Sequence, residues 1–432
     1  MQTITLEPLP WQEETCRISV HVNDSRPVVY YQVTSPRSLE ALCCGRPVEE
    51  LPRILTILGP SHHLTAALAL DRLFQVDPPE LAQNMRTALL QAQYYTAHLR
   101  KFFFLMTSLQ DPFGDYRATG RNLPRPNKSI RLVEKIMHHA ALSQEAEDIL
   151  GGRHDHPLTA VAGGVSRYLK EGHYPRLTSI CNALLSFASE LAELTRTEFT
   201  AEGGILSQWT EFEIPALAGL HLTADGKVTL SLADGTDGQQ FSADQLVDMI
   251  ALQKEDWTYQ PFAYLKDKGW QGIEQPQSLF FVGPLARFNA GKAAATPRAE
   301  QERQKMIDAV GAPPVYKLTA AFGALAVELI QAAETLQSLG TPDKLSGPDL
   351  RTIPRTKAGS TWAALETPQG LSWHQYQIND DGIVQAATII DAHAANNALK
   401  CMLAGQMVAA ALERKENPGT IKESVALAML PF

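Results

Sequence analysis

The sequence predicts a mainly α protein with small β parts: a bundle of long helices, a small N-terminal sheet and one β insertion. Three observations predict that class. Apolar residues recur at helical spacing over roughly 79–110, 128–149, 175–199, 298–338 and 391–414. The opening 34 residues are rich in β-branched and aromatic side chains, and the stretch 212–245 switches to strand-like alternation. With 432 residues, 44% of them hydrophobic and 20% charged, the chain can bury a large core, and it reads as one unit over 1–432.

The elements follow in order. RISVHV and VVYYQVT, on either side of the turn-forming NDSRP, predict paired strands within 1–34. Ser35-Pro36 then supplies a helix cap with proline at the first helical position, and Gly45 suits the far end. The long helices come next, with the Gly-, Pro- and base-rich stretches 114–128 and 339–359 as connectors. Within 212–245, LHLTADGKVTLSLADG alternates around an Asp-Gly turn, which is the pattern of a hairpin. Ser242 and Gln245 stand three apart, a capping box for a helix over DQLVDMIALQKE.

Composition excludes several classes. A balance of 38 basic to 47 acidic residues gives net −9, so no nucleic-acid partner is expected, because backbone phosphates require clustered cations. No apolar run approaches the length a bilayer demands, and MQTITLEPLPWQEE lacks the pattern of a secretory signal. Membrane insertion is therefore not expected, and the default location is cytoplasmic. Five cysteines (Cys16, Cys43, Cys44, Cys181, Cys401) in so long a chain read as reduced thiols.

The common catalytic motifs are missing: there is no Walker loop, G-x-G-x-x-G, G-x-S-x-G or H-E-x-x-H. Histidines cluster at His62-His63, His138-His139 and His154-Asp155-His156. Adjacent histidines on a helix point about 100° apart, so one metal rarely takes both, and surface or packing roles are expected. On the helix after Pro36, Cys44 follows Glu40 by one turn, which could set a carboxylate beside a thiol; buried filler is the alternative for Cys43 and Cys44.

Three stretches together resemble the large subunits of cytoplasmic, cofactor-linked [NiFe]-hydrogenases. EDWTYQPFAYLKDKGW with VGPLARFNAGKAAATP (255–297) is similar to the family's W-S-Y-x-K … G-P-L-A-R-x-N … T-P. LETPQGLSWHQYQINDDGIVQAATIIDAHAANN (365–397) resembles its E-A-P-R-G-x-L-x-H-x-Y … N-N pattern. SPRSLEALCCGRPVEELPRILTILGPSHHLTAALAL (35–70) is similar to the element that carries the first metal-binding cysteines. The resemblance implies the long-helix fold of that family.

It also implies two C-x-x-C pairs, whose four soft thiolates hold nickel, two of them bridging to an iron with diatomic ligands. Here Leu58 and Ser61 stand where the first pair belongs, and His63 stands for the family histidine. No second pair occurs before Phe432, and Cys401 is the last cysteine. Gln369 replaces the arginine above the open metal position, while Glu40 matches the proton-passing glutamate. Arg287, Asn289, Trp257 and His374 fall at positions that suit holding the scaffold. The departures predict no resident cofactor, no nickel, and an iron-diatomic unit at most in transit. They suggest a non-catalytic assembly or maturation scaffold, with Glu40, Cys43 and Cys44 as residual contacts and hydrogenase maturation factors as partners. The alternative is a structural component that docks an iron–sulfur small subunit; an active hydrogenase using other ligands ranks last.

Overall fold

The computed structural model describes residues 2–22, 27–35, 39–109, 127–199, 212–355 and 359–432. Three antiparallel strands open the chain, β1 (Gln2–Leu6), β2 (Cys16–Val22) and β3 (Pro27–Val33), in the order β1-β2-β3. The turn residues 23–26 and the cap at Pro36 lie outside the described residues. Helix α1 (Leu39–Cys43) ends with Gly45 at φ +78°, as the sequence predicts.

A short α2 (Leu51–Ile54) leads to α3 (Pro60–Phe74), and then come the long helices α4 (Glu80–Leu109), α5 (Asn127–Gly151) and α6 (His173–Leu194). Between α5 and α6 a two-stranded ribbon forms from β4 (Ala160–Val161) and β5 (Gly164–Val165). The insertion is a meander of β6 (Ala218–Leu222), β7 (Lys227–Ser231) and β8 (Asp237–Ser242).

Two sequence readings need correction beyond it. The Ser242 N–H does donate to Gln245 Oε1 at 3.3 Å, but α7 (Leu246–Met249) is only one turn long. Its continuation IALQ becomes β9 (Ile250–Gln253), paired with β10 (Phe262–Leu265), because β-branched and apolar residues find a strand partner there. Next come β11 (Phe280–Phe281), parallel to β6, and α8 (Pro284–Asn289). The single periodic segment 298–338 is in fact two helices, α9 (Pro297–Val310) and α10 (Leu318–Leu339). Gly311 at φ +108° and the following Pro313-Pro314 stop the first one.

After the short α11 (Pro342–Leu345), a second three-stranded antiparallel sheet forms from β12 (Gly359–Glu366), β13 (Leu371–Ile378) and β14 (Val384–Ile390). The sequence reading did not identify this sheet. Helices α12 (Ala392–Glu413) and α13 (Pro418–Met429) close the chain. One buried apolar cluster draws on residues from Leu6 to Phe432, with α4, α6, α10 and α12 as its main contributors. A second fills the space between the insertion and one face of β13, and a third joins α3 to its other face. Among the described residues no helix is long and apolar enough to cross a membrane.

Candidate functional site

The site grows from two backbone devices. Gly59, at φ +131°, turns the chain so that Pro60 can open α3, which puts Ser61 in the first turn of that helix. Opposite it, Thr367 and Gly370 exchange backbone hydrogen bonds of 2.9 and 3.0 Å, closing a tight turn that presents Gln369. That turn needs Gly283 beneath it, since a Cβ there would lie 2.6 Å from the Gln369 carbonyl oxygen.

Ser61 and Gln369 share the lining of one cavity of about 230 Å³, completed by Gln93, Thr96 and Arg100 of α4 and Glu147 of α5. Burial pushes the Glu147 carboxyl up to about 8, so it is neutral at pH 7; it accepts a hydrogen bond from the Thr96 hydroxyl. Gln93 is 4% exposed, and neither atom of its amide has a partner among the described residues. Sequence reasoning singled out neither Gln93 nor Glu147. The available signal was a polar residue at helical spacing from buried ones, as Glu147 is from Ser143 and Leu150.

The histidines behave differently. His63 Nδ1 donates to the Pro52 carbonyl at 2.8 Å, and its Nε2 accepts from the Ala160 N–H at 2.9 Å. Both ring nitrogens are thus spent, and burial lowers its pKa to about 4. His62 Nδ1 meets His374 Nε2 at 2.9 Å, and His374 Nδ1 meets the Tyr376 hydroxyl at 2.7 Å, a buried relay with stacked imidazoles. His139 bonds the Lys135 carbonyl at 2.7 Å and stacks on Phe187; His154 pairs with Asp148 at 3.0 Å; His156 bonds Thr56.

Leu58 ends the short helical turn before Gly59 and packs against the third apolar cluster. Glu40, Cys43 and Cys44 do not line the cavity. Cys43 is fully buried in the third cluster, its thiol raised to about 12 by burial, while Cys44 is exposed near the Gln385 carbonyl. The Cys44 N–H does donate to the Glu40 carbonyl at 3.1 Å, so the two share a helix face.

Away from the cavity lining, Arg287 binds Glu328 through two bonds of 2.6 and 2.8 Å and also reaches Glu366; His98 adds a 2.8 Å bond to Glu328. Burial alone would raise Glu328, but Arg287 and His98 hold it near 2. Asn289 exchanges two bonds with the Val315 backbone, and Trp257 packs on Tyr30 and Phe262. These contacts are scaffold contacts.

No family model matches the chain. Its sequence is 28% identical to the iron-sulfur subunit of an F420-non-reducing hydrogenase from Archaeoglobus profundus, over 92% of this chain and 86% of that one. It is 25% identical to the beta chain of the NAD-reducing hydrogenase HoxS of Cupriavidus necator, over 91% and 85%. In fold it matches an NAD+-reducing [NiFe]-hydrogenase at TM-score 0.88 and 23% identity, covering 100% of this chain and 97% of the other. The chain is a relative of the [NiFe]-hydrogenase large subunits. This large-subunit relative also matches the Ni-Fe-Se hydrogenase of D. vulgaris Hildenborough at TM-score 0.75, with 16% identity and 99% and 98% coverage.

That kinship corrects the expectation of no cofactor, and of no nickel. The similar structures are named for nickel and iron, which points to a nickel cofactor rather than to none. The residues of this large-subunit relative can be set against that group. Where the resemblance places the first thiol pair, Leu58 offers hydrocarbon and Ser61 a hydroxyl, a hard donor that is rarely ionised. Among the described residues no three His, Cys, Asp or Glu side chains gather as a metal site. This donor set does not fit a thiolate-held metal, and no reaction step is derived through one.

Proposed function

We propose that this hydrogenase large-subunit relative works in the cytoplasm as a non-catalytic assembly or maturation scaffold for a hydrogenase-type complex. The observation that carries the reading is the chemistry at positions 58, 61 and 369. A hydroxyl and an amide face a cavity that the resemblance would line with a thiolate and a guanidinium, and hydrocarbon stands at 58 in place of the other thiolate. The surrounding scaffold is kept, with Arg287, Asn289 and His374 all fully engaged. Glu40 and the exposed Cys44 remain the candidate contacts for a client.

A second reading, a structural component docking an iron–sulfur small subunit, is favoured by one observation: the relatives are named as subunits of hydrogenases, each one chain of a larger assembly. Such a face would be large and mostly apolar. Affinity purification of the full chain from its native host separates the two, with metal content and hydrogen-dependent dye reduction measured on the same preparation. Maturation factors in the eluate support the scaffold, and a cluster-bearing protein supports the second reading. Stoichiometric nickel with hydrogen-dependent dye reduction would overturn both.

A further inference from the structure

The cavity beneath Ser61 and Gln369 has a feature that a scaffold role does not use. Gln93 holds its whole side-chain amide inside the protein, and neither the donor Nε2 nor the acceptor Oε1 has a partner among the described residues. Leaving such groups without a partner is costly, so an arrangement that persists invites one. The neighbouring amide of Gln369 is already engaged, with Glu13 at 3.2 Å and Thr367 at 3.5 Å. No described side chain answers Gln93, which leaves its amide open to a group that enters the cavity.

The chemistry of the entrant follows from what lines the space. Gln93 offers an NH2 donor group and a carbonyl acceptor side by side, and a second amide answers both at once through two antiparallel N–H···O=C bonds. The inner wall carries no net charge, because Glu147 is protonated at neutral pH and its acceptor oxygen is already used by Thr96. The formal charges on the lining, Arg100 and Asp155, are both exposed and opposite in sign. A carboxylate would meet the donor Nε2 but leave Oε1 facing a second acceptor, and a cation would meet the reverse. At about 230 Å³ the space admits a small molecule, not a large cofactor.

We propose that this cavity binds a small neutral ligand bearing a carboxamide group, held by paired hydrogen bonds to the side-chain amide of Gln93. The site goes beyond the scaffold reading and stands whether or not that reading holds. The test is a titration of the full-length protein with acetamide, followed by saturation-transfer NMR and by calorimetry, with acetate and N,N-dimethylacetamide as controls. Acetamide is expected to bind about tenfold more tightly than either control, the value of roughly one lost hydrogen bond. Gln93→Leu should abolish that preference while its circular dichroism stays unchanged. The wild-type comparison stands alone if the variant fails to fold. Equal binding of the three compounds, no binding of acetamide to the wild type, or a crystal structure in which ordered water alone satisfies Gln93 in saturating acetamide, would overturn the proposal.

Discussion

Two buried polar regions each draw one side chain from α4, His98 for one and Gln93 for the other, and they are built in opposite ways. Around Arg287, every charge is answered: the guanidinium grips Glu328 and Glu366, His98 caps Glu328, and the Leu222 N–H donates to Glu366 at 2.6 Å. Around Gln93, the side-chain amide is buried without a partner among the described residues, and burial keeps the Glu147 carboxyl protonated. The first region pairs its charges with one another, although His98 Nδ1 has no partner among the described residues, and the second leaves a neutral amide unanswered. Family-like scaffolding and a site-like polar pocket are thus separable within one chain.

The comparison breaks most visibly at Arg287. Arg287→Met strands Glu328 and Glu366, and chemical denaturation should show a loss of about 3–5 kcal/mol; a loss below about 1 kcal/mol would mean the network is not the clamp described. Next in size is the relay on β13. His374→Phe leaves the His62 nitrogen and the Tyr376 hydroxyl facing an apolar ring, and should cost about 1–3 kcal/mol. If both partners simply rotate to solvent, the cost will be negligible and the relay will count as incidental.

Glu147→Gln sharpens the contrast through pH. The folded protein holds the Glu147 proton up to about pH 8, against an ordinary value of 4.5, so the unfolded chain releases it first. Stability from this group is complete below 4.5 and declines as pH rises toward 8. The variant should therefore lose less stability than the wild type across that window; parallel pH curves would show that Glu147 ionises normally. The smallest effect belongs to Gln93→Leu, which should raise stability by about 1 kcal/mol, because leucine removes the desolvation cost of an unpaired amide. A large loss there would reveal a partner for Gln93 and remove the contrast.

Much of the fold was legible because its signals are local. The apolar spacing of α4, α5 and α12, the Asp-Gly turn of the insertion and the Ser242/Gln245 box all sit within short windows. Three features were missed for identifiable reasons. Gly311 and the prolines after it interrupt a run in which apolar residues recur at helical spacing on both sides of the break. IALQ reads as helix until β10 supplies an edge to pair with. The sheet β12-β13-β14 escaped notice because β13 buries side chains on both faces, the polar Ser372 and His374 among them, so its alternation does not separate an inner from an outer face.

The candidate site was legible only in part. Ser61 and Gln369, identified by resemblance, do line one cavity although more than 300 positions separate them. His63 is tied down at both nitrogens by Pro52 and Ala160, and no spacing rule could have shown this. Gln93 and Glu147 come from two helices whose side-chain meeting is a matter of tertiary packing, and neither position carries a motif.

Strand β13 behaves as a partition wall with a different room on each side. Its odd-numbered Leu371 and Trp373 face the cluster beneath the insertion, where the Trp373 indole donates to the Ala243 carbonyl at 2.8 Å. Its even-numbered Ser372, His374 and Tyr376 carry the imidazole line toward α3. Inserting or deleting one residue in this strand would swap the contents of both rooms at once, driving an indole into the hydrogen-bonded row and an imidazole into hydrocarbon. Errors of length are therefore far less forgivable here than errors of spelling.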